Sequence, residues 1–234
     1  MSVIILLPTY NEKENIALMI PALSALLPEA KILVIDDNSP DGTGRIVKEL
    51  IPRYPRVSLL HREKKQGLGK AYLAGFKHVL QNHPEAKKII MMDADFSHDP
   101  KFLPAMIREG EKSEVVIGSR YISGGGVEGW EQWRRYLSGF GNIYCRLICR
   151  LPIHDFTAGF YIIDAGWLKK IDLDKISSSG YAFQVELKFQ LYRAGASFKE
   201  FPIIFKNRIN GESKITNHII REGLIAPWKI IFKK

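Results

Sequence analysis

The stretch Lys88-Ile89-Ile90-Met91-Met92-Asp93-Ala94-Asp95-Phe96-Ser97-His98-Asp99-Pro100 begins as an apolar run and breaks off into two carboxylates one residue apart. A short apolar run bounded by turn formers reads as a buried strand. A strand ending in Asp-x-Asp places acidic groups at the carboxyl edge of a sheet, where open α/β folds bind ligands. Hard divalent cations take oxygen ligands, and Mg²⁺ is commonly held by one or two carboxylates together with substrate phosphates. Asp93 and Asp95 are therefore candidate ligands for Mg²⁺ or Mn²⁺ carrying a diphosphate. The competing reading is that they only cap the helix that Pro100 helps to start.

The same pattern occurs twice upstream. Ile32-Leu33-Val34-Ile35 runs into Asp36-Asp37-Asn38-Ser39-Pro40-Asp41-Gly42-Thr43, and Val3-Ile4-Ile5-Leu6-Leu7 runs into Pro8-Thr9-Tyr10-Asn11-Glu12. Consecutive parallel strands deliver such ends to one rim, so three polar turns converge on one site. Neighbouring residues on a strand face opposite ways, so of Asp36 and Asp37 one binds ligand and the other braces the loop. Between the strands the chain reads as helix, near 13–27 with a break expected at Pro21, and about 43–51. A third strand, 57–60, leads to Gly67-Leu68-Gly69-Lys70 and a helix over 69–80. This is no P-loop, because Lys70 lacks the upstream glycine and the following Ser/Thr. A strand over 114–118, a strand with a polar start over 155–163, a helix near 182–194 and a last strand over 197–205 complete an α/β alternation.

The chain has 234 residues, 46% of them hydrophobic, which suffices for one α/β domain with a large core, and no Gly/Ser/Pro linker divides it. A net charge of +9 calls for an anionic partner: nucleic acid, an anionic membrane surface or a phosphorylated substrate. The basic residues are scattered and carry no aromatic-basic sheet signature, which argues against nucleic acid. Cys145 and Cys149 lack the further cysteines of a zinc site and read as buried thiols of a reducing compartment. Met1-Ser2 leads straight into a strand, without a signal peptide, and no apolar run approaches the ~20 residues of a membrane span. The expected location is cytoplasmic, peripheral on the cytoplasmic face of a membrane.

Pro8-Thr9-Tyr10-Asn11-Glu12, Asp36 to Thr43, Asp93-Ala94-Asp95, Gly118-Ser119-Arg120-Tyr121 and Arg208-Ile209-Asn210-Gly211-Glu212-Ser213-Lys214 follow one another in an order that resembles dolichyl-phosphate (polyprenyl-phosphate) mannose synthases. These are inverting glycosyltransferases of the GT-A type. The resemblance spans Val3 to about Lys214 and implies a Rossmann-like, mostly parallel sheet flanked by helices. It implies mannose transfer from GDP-mannose to dolichyl or polyprenyl phosphate, with Asp93 and Asp95 catalytic and at the metal. It assigns Pro8, Tyr10, Glu12, Ile35, Asp37, Asp93, Ala94, Asp95, Arg120, Arg208 and Lys214 to the donor, with Pro8 and Ile35 reaching it through backbone or serving only as packing. It assigns Arg120, Arg134 and Ser138 to the acceptor phosphate. Relatives carry Gln where this chain has Ser97, which leaves that position's part in metal binding open. Arg208 and Lys214 would add charge to the diphosphate, and Gly211 would let the segment bend over it.

Residue types on the acceptor side fit. Gly124-Gly125-Gly126 followed by Trp130, Trp133, Arg134, Arg135 and Ser138 make a pliable loop entering an amphipathic helix, suited to a greasy chain ending in phosphate. Arg134 and Ser138 share a helix face, although surface ion pairing would also account for Arg134 and Arg135. A phosphate monoester with a second pKa of ~6 is already nucleophilic at neutral pH, so no general base is required. The tail over 215–234 carries Ile220, Leu224 and Trp228 at helical spacing with Lys229, Lys233 and Lys234, a composition of the lipid interface. It also suits packing on the domain at 1–214 or contact with a small membrane-anchoring subunit. The remaining alternatives are a glucosyltransferase using UDP-glucose, a catalytically silent nucleotide-binding subunit and a nucleic-acid-binding module.

Overall fold

The computed structural model describes residues 2–206 and 217–233, the side chains of 217–222 excepted. Chain order is β1 (Val3–Thr9), α1 (Lys13–Leu26), β2 (Lys31–Asp36), α2 (Thr43–Leu50), β3 (Val57–His61), α3 (Leu68–Asn82), β4 (Lys88–Met91), α4 (Leu103–Glu109) and β5 (Val115–Ser119). Then follow β6 (Gly126–Val127), α5 (Gln132–Cys149), β7 (Tyr161–Asp164), α6 (Ala165–Leu168), α7 (Gly180–Arg193), β8 (Phe198–Pro202), β9 (Ile204–Phe205) and α8 (Asn217–Phe232).

Seven strands form one sheet in the order β3-β2-β1-β4-β7-β5-β8, while β6 and β9 pair separately. All neighbours in the large sheet run parallel except at β7, which is antiparallel to β4 and β5. Alternation along each strand feeds two cores. Ile4, Leu6, Ile89 and Met91 join the side chains of α3, α5, α7 and α8 on one face, and Ile5, Leu7, Ile90 and Met92 join those of α1, α2 and α4 on the other. With both faces covered, polar chemistry is left only the strand ends. The order reverses between β1 and β4, the kind of switch point where a crevice opens at the carboxyl edge.

Three departures from the sequence reading have local causes. Helix α1 continues through Pro21, because fully buried Met19, Ile20 and Leu23 on both sides of it hold the adjoining turns against the sheet. The strand expected over 155–163 shrinks to Tyr161–Asp164, and the turn at 155–160 carries its polar residues to the sheet's carboxyl edge instead. The strand expected over 197–205 divides at Ile203, whose N–H donates to the Ser119 carbonyl while its own carbonyl accepts from Gly126 N–H, so the chain leaves β5 to pair with β6.

Helix α8 lies against α5 and α7, with Ala226 and Ile230 buried. The Trp228 indole donates to the Tyr144 hydroxyl (2.8 Å), which donates to the Leu224 carbonyl (2.8 Å). Lys233, read from composition as an interfacial cation, turns inward onto the fully buried Glu186 carboxylate (2.6 Å). Cys145 and Cys149 are free buried thiols, pushed by burial up to about 11 and about 12. Among the described residues no helix is long and apolar enough to cross a membrane.

Helix α3 starts at Gly67 (φ +91°), and two turns rely on glycine for close approach. A Cβ on Gly75 would come 2.5 Å from Ile35 Cδ1, and one on Gly69 would come 2.9 Å from the Phe183 ring and 3.0 Å from the Ser178 carbonyl oxygen. A backbone oxygen cannot step aside as a side-chain end can. Gly69→Ala should therefore lower stability by about 1–3 kcal/mol in urea unfolding, despite alanine's higher helix propensity; an unchanged or raised midpoint would contradict this packing.

Candidate active site

The carboxyl ends of β1, β2 and β4 stand side by side, with Thr9 level with Asp36 and Leu6 level with Met91. Each of the three turns that follow holds a non-glycine residue in the left-handed region: Asn11 (φ 60°), Asn38 (φ 55°) and Phe96 (φ 61°). Asparagine tolerates this conformation, whereas for a bulky residue such as Phe96 it is strained and is kept only where surrounding contacts impose it.

Asp36 is the bracing carboxylate. It accepts from the Thr9 hydroxyl (3.0 Å), the Ser39 hydroxyl (2.5 Å) and the Ser39 N–H (3.1 Å), and it is buried. Asp37 points elsewhere, pairing with Arg62 and accepting from Gln66 N–H (3.1 Å). Arg62 also donates to Gln66 Oε1 (2.5 Å), so the turn after β3 is strapped across the end of β2. Lys65 of that turn places its Nζ 3.7 Å from the centroid of the Tyr10 ring. Glu12 accepts from Asn15 Nδ2 (2.7 Å) and its own N–H donates to Thr43 (3.0 Å). Pro8 is level with Ile35 in the β1/β2 register. The Ile35 side chain is fully buried, so only its backbone can meet a ligand.

In the Asp-x-Asp turn, Asp95 is buried and one carboxylate oxygen accepts from both Ser97 N–H (3.0 Å) and the Ser97 hydroxyl (2.6 Å). Ser97 thus orients Asp95. The Asp93 N–H donates to His98 Nδ1 (2.9 Å), and the buried imidazole stacks on Phe160 at 5.1 Å. Tyr72 supports the turn from α3 by donating to the Met92 carbonyl (3.2 Å). Burial holds its phenol well above the ordinary value, with the Asp93 charge adding to the effect. Ala94, between the carboxylates, is buried. Among the described residues no group of three or more His, Cys, Asp and Glu side chains gathers to hold a metal. Two carboxylates completed by substrate oxygens are a donor set that fits a hard cation.

Because β7 is antiparallel, the turn preceding it lies at the same rim as Ser119-Arg120 at the end of β5. Arg120 is bidentate to Asp155, with Nε 2.8 Å and Nη2 2.7 Å from its oxygens, and Nη2 also donates to the Thr157 hydroxyl (2.8 Å). Burial opposes both charges, but the pairing prevails: the Arg120 pKa is raised and the Asp155 pKa is lowered. Three aromatic rings, Tyr121, Trp130 and Phe205, surround the guanidinium at 5.4–5.6 Å. The Arg134 guanidinium lies 4.1 Å from the Trp130 ring, and Arg134 and Ser138 share the half-buried side of α5. The Trp130 indole N–H is buried and finds no hydrogen-bond partner among the described residues, while the Tyr121 hydroxyl faces Ser138 and Asn142 of α5.

The expected site residues among those described lie at these strand ends and on the adjoining side of α5, while Arg208 and Lys214 lie outside the described residues. Arg62, His98, Asp155 and Thr157 are additions from the structure. Only Asp155 carried a signal, as an acid at the start of an apolar run.

Known proteins share this plan. The chain is 40% identical to the undecaprenyl-phosphate mannosyltransferase of Micrococcus luteus over 98% of its own length and 97% of that protein's. It is 41% identical to the polyprenol monophosphomannose synthase of Mycolicibacterium smegmatis, over 97% and 86%. Among solved structures it resembles the glucosyl-3-phosphoglycerate synthase of Mycobacterium tuberculosis (TM-score 0.69, 16% identity, 98% of this chain and 79% of that one). It also resembles a mannosyltransferase of Pyrobaculum calidifontis solved with GDP-Man and Mn²⁺ (TM-score 0.66, 14% identity, 99% and 64%). These last two likenesses concern the fold, which is GT-A. With the family model for glycosyl transferase family 2 matching residues 4–172, the chain belongs to glycosyltransferase family 2.

Proposed function

We propose that this protein moves mannose from GDP-mannose to a polyprenyl or dolichyl phosphate with inversion, giving a lipid phosphate β-mannose. The observation that carries the reading is the pairing, on one rim, of an Asp-x-Asp turn with a basic, aromatic cluster in which the buried Trp130 indole N–H finds no partner among the described residues. Buried donors of this kind are costly unless a ligand takes their bonds, and a phosphate offers several acceptor oxygens. The near-full-length likeness to two enzymes named for transferring mannose to a polyprenyl phosphate supplies the sugar and the acceptor class.

In this reading Asp93 and Asp95 hold Mg²⁺ or Mn²⁺, whose Lewis acidity, when it is bound, neutralises the leaving diphosphate. Ser97 and His98 keep the two carboxylates in place. Tyr10, Glu12 and Asp37 line the nucleoside end with the backbones of Pro8 and Ile35, Ala94 lies at the ribose or diphosphate, and Arg208 and Lys214 add positive charge to the diphosphate. Arg120, Arg134 and Ser138 orient the acceptor phosphate, and an oxygen of that phosphate forms the new bond to the anomeric carbon. The bond from that carbon to the diphosphate breaks, its electron pair leaving with GDP. Attack from the opposite side inverts the centre.

The place of work follows from α5. Trp133, Tyr136, Phe140, Ile143 and Leu147 recur along one side of it and are each more than half exposed. Leu224, Ile225, Trp228 and Phe232 of α8 continue the patch. A groove of about 690 Å³ at the far end of α5 adds Arg146 and Arg150 to apolar walls. An apolar face with cations beside it suits the surface of an anionic membrane, with or without an anchoring subunit.

Three outcomes are expected. Excess chelator, or Asp95→Ala, lowers kcat on the order of a hundredfold while the protein stays folded by circular dichroism; full activity in chelator would remove the metal. Arg134→Ala raises the KM for polyprenyl phosphate about tenfold and leaves GDP affinity by calorimetry within about twofold; equal loss of both would show that Arg134 serves the donor. The protein co-sediments with phosphatidylglycerol vesicles and releases as salt rises, whereas Tyr136→Ser, Phe140→Ser and Leu147→Ser combined abolish binding; unchanged binding by that variant would assign membrane contact to another surface.

A further inference from the structure

Asn142 follows Ser138 by one turn on α5 and is 2% exposed. Its side-chain oxygen accepts from the N–H groups of Phe156 (2.7 Å) and Thr157 (3.1 Å), and its amide nitrogen donates to the Ser138 carbonyl (2.9 Å) and the Thr157 hydroxyl (3.3 Å). The full capacity of the amide is used, two lone pairs and two N–H groups. Asparagine is a poor residue for a helix interior, and here these bonds offset that cost. The Thr157 hydroxyl that it touches is the one that accepts from Arg120 (2.8 Å).

Lys188 of α7 meets the same turn from beneath. Its side chain is fully buried, and Nζ donates to the carbonyls of Phe156 (3.0 Å) and Ala158 (2.7 Å), 4.5 Å from the Tyr161 ring centroid. Burial lowers its pKa to about 7, and even the neutral amine keeps two N–H groups for the two carbonyls. An apolar side chain at 188 would strand both carbonyls in the core. The turn at 155–158 is thus gripped on its N–H groups by Asn142 and on its carbonyls by Lys188, and it holds Arg120 through Asp155 and Thr157.

We propose that Asn142 and Lys188 are positioning residues for the transfer, locking the turn at 155–158 so that Arg120 of β5 and the Arg134/Ser138 side of α5 keep one fixed frame around the acceptor phosphate. The inference rests on the acceptor role given above to Arg120, Arg134 and Ser138. A brace of this kind acts on acceptor use and leaves the donor end, built on β1, β2 and β4, untouched.

The test is steady-state kinetics of the full chain with GDP-mannose and polyprenyl phosphate, alongside GDP calorimetry and thermal melts, for Asn142→Ala, Lys188→Met, Lys188→Gln and Arg120→Lys. Asn142→Ala and Lys188→Met should each raise the acceptor KM about five- to tenfold with GDP affinity within about twofold. Lys188→Gln, which keeps two N–H donors, should recover much of the loss. Asn142→Ala combined with Arg120→Lys should raise KM by less than the product of the single effects. Should a truncation not fold, Asn142→Asp keeps an accepting oxygen for the Phe156 and Thr157 N–H groups, removes the donations to Ser138 and Thr157, and is read in the same way. Folded variants with unchanged acceptor KM, or with donor and acceptor weakened alike, would overturn the brace. If Arg120→Lys raises the acceptor KM while Asn142→Ala does not, the brace alone fails. If Arg120→Lys leaves it unchanged, the acceptor reading falls and the brace with it.

Discussion

The sheet is buried on both faces, and that constraint decides where everything else goes. Strands β1, β2 and β4 have room only for apolar side chains along their length, so each polar group the chain needs is expelled to a strand end or to a turn beyond it. Parallel running puts those ends on one edge, and the reversal of strand order beside β1 opens a crevice there. The Asp-x-Asp turn, the bracing Asp36 and the strapped Asp37 are thus neighbours in space although some 57 residues separate Asp36 from Asp93. The left-handed Asn11, Asn38 and Phe96 mark where the backbone bends sharply enough to present them.

A second group depends on the single antiparallel strand. Reversing β7 brings the residues before it to the same edge as the end of β5, and this lets Asp155 meet Arg120. A pair this deeply buried is a weak source of net stability, since desolvation consumes much of the attraction, yet removing one partner would cost about 3–5 kcal/mol by leaving the other charge unpaired. Its clearer consequence is orientation. Two bonds to Asp155 and one to Thr157 leave the guanidinium little freedom, and aromatic rings fill the space around it. A cation held in this way does not have to reorganise when an anion arrives, which is the condition under which charge is most useful to a reaction.

Much of this was legible before any coordinates. The apolar runs and the residues that stop them located the strands because burial on both faces leaves an unbroken hydrophobic signature. The carboxylate turns were visible because they interrupt it. Pro21 misled because local propensity says nothing of the two buried flanks that carry α1 across it. The polar start over 155–163 was read as strand because an apolar run has no mark for where pairing begins. Asn142, Thr157 and Lys188 were silent for a different reason: each is an ordinary polar residue whose bonds to the turn at 155–158 or to Arg120 span at least 14 residues of sequence. Lys233 was misplaced by composition, since a terminal lysine beside apolar residues looks interfacial until Glu186 is seen beneath it.

Helix α5 joins the two halves of the argument. Along one side run Arg134, Ser138, Asn142, Cys145 and Cys149, half-buried or buried, and along the other run Trp133, Tyr136, Phe140, Ile143 and Leu147, exposed. One helix therefore turns a polar-then-apolar inner edge toward the catalytic rim and an apolar outer edge toward whatever covers it. A lipid phosphate has the same duality, a dianionic head that needs fixed donors and a chain that avoids water. On the proposed reading the head sits between Arg120 and Ser138 and the chain runs toward the exposed apolar side of α5. The Tyr144 and Trp228 hydrogen bond ties α8 to this side, so the exposed apolar residues of both helices belong to one rigid face. On the proposed reading that rigidity ties the depth at which the outer face meets a membrane to the position of the rim, because α5 is braced through Asn142 to the turn that holds Arg120.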